Sequence, residues 1–130
     1  MKNIITIVII LILPVLVYLI MNKTSNDVVA FAQDNTKPSL LIFSSTMCMD
    51  CQKMKTVLNE IQPTYSDRVN FVQINATENS RKIKDIVKKH SVVLVPTIVF
   101  VDKDSNETAR IEGFVPKENL IKEIEAVING

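Results

Sequence analysis

The sequence predicts an α/β fold, a mixed sheet flanked by helices in the order β-α-β-α-β-β-α, with an N-terminal transmembrane helix ahead of it. Three observations predict this. Short apolar runs of strand length alternate with stretches whose apolar residues recur at i, i+3, i+4 and i+7. The last two strand-like runs are joined by a turn alone, which makes a hairpin. The first segment, Ile4 to Met21, is an uncharged run of 18 residues.

That run is roughly 27 Å long as a helix and nearly spans the hydrocarbon core of a bilayer. Pro14 is tolerated in such a segment better than in a soluble helix. A cleaved secretory signal is the competing reading, with Ala30-Phe31-Ala32 as its cleavage site. That site lies well beyond the apolar run, so an uncleaved anchor is favoured. Lys2 and the terminal amine precede the run, while Lys23 and Asp27 nearly cancel after it. The bias places the N-terminus inside and the rest outside the membrane, or secreted if the signal is cleaved. Residues 1–21 are thus the anchor or signal segment, 22–38 a polar tether, and 39–130 the folded domain.

Within 130 residues there is room for one domain with a core that folds without staples. The net charge of +1 leaves no electrostatic footprint for nucleic acid. Ser39 to Ser44 is the first strand. Met54, Val57, Leu58 and Ile61 mark the first helix of the domain, which Pro63 is expected to end. Val69 to Ile74 is the second strand, and Ile83, Ile86 and Val87 mark a helix between Ser80 and His90. Thr97 to Val101, the turn at Asp102–Asn106 and the run from Glu107 make the hairpin. Leu120, Ile124, Val127 and Ile128 give the last helix its apolar face, with Pro116 suited to its first turn. Two early strands joined through a helix pair in parallel, and the hairpin adds antiparallel strands.

The 2 cysteines, Cys48 and Cys51, lie between the first strand and the helix that follows. At that junction unpaired N–H groups and the helix dipole favour a thiolate at Cys48. Cys51, one turn further in, is close enough to form a disulfide and better protected. An exposed, acidic sulfur followed by a buried one suits thiol–disulfide exchange, in which the first attacks and the second resolves. A metal site is the alternative. Cys48, Cys51 and the lone His90 fall short of the four ligands of a structural zinc site. Met47 and Met49 suit a soft metal, but equally serve as adaptable apolar contacts. A passive bridge is the weakest reading, because no other cysteine exists to form a second bridge. Pro96 immediately precedes a strand. A cis Val95–Pro96 bond would explain it, although a trans proline at a strand's first residue is the simpler reading of the residues alone.

Strand–CxxC–helix with Cys48 and Cys51, "VPT" at 95–97 about 45 residues later, and Gly113 in "IEGF" together resemble the thioredoxin superfamily over residues 37 to 128. Within it, "FVQINATENSRKI" and "VPTIVFVDKDSNETARIEGF" are most similar to the C-terminal thioredoxin-like domain of bacterial membrane thiol:disulfide interchange reductases. The resemblance implies a thioredoxin-like fold with Cys48 and Cys51 catalytic. It also implies a cis Pro96 packed over them, Val95 pairing with a bound substrate strand, and no cofactor or metal. Five positions depart from the family pattern. Met47 replaces the tryptophan before the first cysteine, Met49-Asp50 replaces Gly-Pro, Ile42 replaces a buried acid, and Gln73 replaces a lysine. Losing acid and lysine together leaves neither charge buried alone. Asp50 disfavours a thiolate at Cys48, and no histidine lies between the cysteines, which biases the pair toward reduction.

The expectation is therefore a monomeric, membrane-tethered, extracytoplasmic oxidoreductase that reduces protein disulfides, with Met47, Val95 and Pro96 contacting substrate. A separate membrane protein would donate the electrons. A metal-binding or redox-sensing module on the same fold is the alternative.

Overall fold

The computed structural model describes residues 2–23 and 36–130, and in the first helix the side chains of Asn3 and residues 9–18. Helix α1 (Lys2–Lys23) contains Pro14 and forms a unit separate from the remaining elements. The described apolar side chains of α1, from Ile9 to Tyr18, are all exposed. Among the described residues, no helix is long and apolar enough to cross a membrane. The expected tether and the Ala30-Phe31-Ala32 site lie mostly or wholly outside the described residues.

The domain follows the order read from the sequence: β1 (Ser39–Ser44), α2 (Met49–Tyr65), β2 (Asn70–Asn75), α3 (Arg81–Lys89), β3 (Thr97–Val101), β4 (Glu107–Glu112) and α4 (Lys117–Asn129). The sheet order is β2-β1-β3-β4. β1 pairs in parallel with β2, from Ser39 against Asn70, and antiparallel with β3, from Ser39 against Val101. β3 and β4 form the hairpin, with an irregularity at Phe100/Val101. The two central strands carry the most apolar runs, "SLLIFS" and "TIVFV", because both of their faces are covered.

Alternation along β1 and β3 divides the core. Leu40, Ile42, Ile98 and Phe100 face Met54, Leu58 and Ile61 of α2 and Leu120 and Ile124 of α4 in one buried cluster. Leu41, Phe43 and Val99 point to the opposite face, where the Phe43 ring lies 6.0 Å from that of His90. Ser80 caps α3, its hydroxyl accepting from the Ile83 amide at 3.2 Å, and His90 closes the helix at its other end.

Two boundaries differ from expectation. Pro63 lies inside α2, which continues to Tyr65. Proline removes one helical hydrogen bond, but the turn beyond it is held by burial of Tyr65 and by the Ser66 amide donating to the Gln62 carbonyl at 2.9 Å. β2 begins at Asn70, since the Val69 amide donates back to the Tyr65 carbonyl at 2.9 Å instead of entering the ladder.

Candidate functional site

β1 ends at Ser44, and the chain turns through Ser45, Thr46 and Met47 before α2 begins. Cys48 is the N-cap of α2, in extended conformation with φ −95° and ψ 118°. Its sulfur takes the place of the usual capping oxygen and accepts from the Cys51 amide at 3.1 Å. One of the unpaired donors at the helix start is thereby aimed at the atom that would carry thiolate charge. Cys48 and Cys51 form a disulfide, with their Cα atoms 5.1 Å apart. Cys48 is half-buried, whereas Cys51 is 5% exposed.

A second chain segment comes over the pair. The Val95–Pro96 peptide is cis, as the family resemblance implied. The Val95 carbonyl oxygen lies 3.6 Å from Cys48 Sγ. In the disulfide that sulfur has no proton, so this is a contact. The reduced thiol would have an acceptor there. Among the described residues, neither the Val95 amide nor its carbonyl makes a backbone hydrogen bond. Pro96 is buried, and its own carbonyl accepts from the Gly113 amide at 2.7 Å. Gly113 has φ +86°, a region that disfavours any side chain.

Sequence reasoning missed how this loop is held. Arg110 of β4 donates to the His90 carbonyl at 2.6 Å and grips Glu107 at 2.8 and 3.1 Å. His90 Nδ1 lies 3.7 Å from the same carboxylate. The Arg110 hydrogen bond and charge, with His90 adding to them, hold the Glu107 carboxyl below its usual range against an opposing effect of burial. The loop is closed further along by the Thr97 hydroxyl, which donates to the Leu94 carbonyl at 2.8 Å. No short-range pattern signals a contact between Arg110 and a carbonyl 20 residues away.

The sequence-predicted site residues come together only in part. Cys48, Cys51, Val95 and Pro96 form one cluster. Met47 is 94% exposed beside it, with Met49 at 70%. Ile42 is buried in the core where the family has its acid, and Gln73 is exposed. Asp50 is paired with Lys53 at 3.1 Å, both exposed, so its charge acts on Cys48 less than the sequence alone implied. His90 is engaged at the end of α3. Among the described residues no group of three or more His, Cys, Asp or Glu side chains is placed to hold a metal ion.

A capped, disulfide-forming CxxC under a cis-proline loop defines a thioredoxin-type redox site. The chain belongs to the thioredoxin-like domain family, whose model matches residues 25–128. It is 28% identical over 99 residues to the chloroplastic thioredoxin-like protein HCF164 of Oryza sativa, covering 76% of this chain and 37% of that protein. To the thiol:disulfide interchange protein TxlA homolog of Synechocystis it is 29% identical over 99 residues, covering 76% and 54%. The chain thus spans about half or less of the length of these two relatives. The crystal structure of oxidised thioredoxin O2 from Arabidopsis thaliana superposes with a TM-score of 0.62 at 25% identity, covering 73% of this chain and 78% of that one. These relatives and the CxxC pair support thiol–disulfide oxidoreductase activity.

Proposed function

We propose that the protein is a membrane-tethered, extracytoplasmic thiol–disulfide oxidoreductase that reduces protein disulfides. The observation that carries the reading is the Cys48 sulfur at the N-cap of α2, accepting the Cys51 amide at 3.1 Å beside the cis-proline loop. In the reduced protein the Cys48 thiolate attacks one sulfur of a substrate disulfide. A Cys48–substrate bond forms, the substrate bond breaks, and its electron pair leaves on the second substrate sulfur, which takes up a proton. Cys51 then loses its proton and attacks Cys48. The Cys48–Cys51 bond forms, the mixed disulfide breaks, and the reduced substrate departs as a thiolate. The free backbone groups of Val95 suit pairing with the substrate strand, while Pro96 and exposed Met47 give it an apolar bed.

The membrane part rests on α1. In sequence, the run from Ile4 to Met21 is roughly 27 Å long as a helix, close to the thickness of a bilayer's hydrocarbon core. The sequence between Ile4 and Met21 has no charge to oppose insertion. A domain on the outer side needs electrons from a separate membrane donor, because one helix carries none across. The reductive direction rests on the absence of a histidine between the cysteines and on the acidic residue in the first turn of α2. Insulin reduction by the full chain in detergent, with dithiothreitol as donor, tests the reading. Catalytic precipitation of insulin B chain is expected, and a rate equal to dithiothreitol alone would rule the reading out.

A further inference from the structure

Cys51 lines a cavity of about 390 Å³. The walls come from β1, the loop after it, α2, the end of β2 and Pro96. Polar side chains at Ser44, Gln52 and Asn75 line it, and Lys55 is the single charged side chain among its lining residues. Ile42 supplies the wall where an acid would otherwise stand. Lys55 lies four residues after Cys51 on α2, which places their Cβ atoms about 5–6 Å apart on one face. Lys55 is exposed, and it lines the cavity together with Cys51. No carboxylate is paired with Lys55 among the described residues, whereas neighbouring Lys53 is taken by Asp50.

We propose that Lys55 is a positioning cation for the resolving cysteine: across this cavity its ammonium stabilises the Cys51 thiolate as Cys51 attacks the mixed disulfide. The inference rests on the exchange chemistry proposed above. A nearby positive charge favours the ionised form of a thiol, and the cavity gives the departing proton a route to solvent. The cation stabilises the thiolate while the proton leaves to solvent, so no proton acceptor is needed where Ile42 forms the wall.

The test uses the full chain in detergent, reduced and mixed with one equivalent of 2,2′-dithiodipyridine at low pH. This neutral probe leaves Cys48 as a thiopyridyl mixed disulfide. After a jump to higher pH, thiopyridone release reads the attack of Cys51 on Cys48. At neutral pH, Lys55→Gln is expected to slow release about three- to tenfold, a shift of up to one pKa unit. Lys55→Glu should slow it more, and Lys55→Arg should restore it to within about twofold. All rates should converge at high pH, and the first reaction at Cys48 should keep its pH profile. Superimposable release profiles for wild type, Lys55→Gln and Lys55→Glu would overturn the proposal, as would an equal shift in the Cys48 step. A wild-type mixed disulfide that never releases thiopyridone would overturn the exchange reading together with it.

Discussion

Arg110 touches neither cysteine yet holds the loop that lies over them, so Arg110→Met separates the frame of the site from its chemistry. The substitution takes a donor at 2.6 Å from the His90 carbonyl and a two-pronged partner from Glu107. A hydrogen bond from a charged donor contributes about 1.5–3 kcal/mol, and a partly exposed ion pair about 0–1 kcal/mol. The arginine side chain is 27% exposed, so water recovers part of this. The expected loss is about 1–3 kcal/mol, which lowers Tm by roughly 5–20 °C in a domain of this size. Because the folded Glu107 carboxyl is held below its usual range, its share of the stability is present above the unfolded value near about pH 4.3. That share is lost as pH falls through the lowered folded value. The difference between wild type and variant should therefore be full at pH 7 and smaller near about pH 3, leaving the His90 carbonyl contribution. Thermal unfolding by circular dichroism at the two pH values measures both. A variant within about 0.5 kcal/mol of wild type at pH 7, or a gap that does not narrow in acid, would refute the reasoning.

Two further outcomes concern the cysteines. Substoichiometric iodoacetamide should label reduced Cys48 well before Cys51, since Cys48 is half-buried and Cys51 is 5% exposed; predominant labelling of Cys51 would reverse the assignment. Equilibration with dithiothreitol buffers should place the potential nearer about −270 mV than −120 mV. Asp50→His should make it more oxidising, because it removes a carboxylate and releases Lys53 as an unpaired cation, and an unchanged or more reducing variant would contradict this.

Elements set by local pattern were legible in the sequence. The apolar runs of β1 and β3 and the apolar stripe of α4 all depend on residues a few positions apart. So did the cysteine pair, whose place at a helix start follows from the end of one run and the beginning of the next. Pro63 misled because proline's local cost was weighed without the burial of Tyr65 that carries α2 past it. The Lys53 partner of Asp50, three residues along the same helix, was equally local and was not weighed. The Arg110 grip on His90 and the cavity lined by Cys51 depend on strands and loops brought together from distant positions. Nothing in their local sequence announces them.

Trapping tests the central claim most directly. The Cys51→Ser chain, reduced and exposed to oxidised insulin, should accumulate a mixed disulfide through Cys48, visible as a non-reducing gel shift that dithiothreitol reverses. The Cys48→Ser chain should accumulate none. Equal trapping by both variants, or by neither, would contradict a division of labour in which Cys48 attacks and Cys51 resolves.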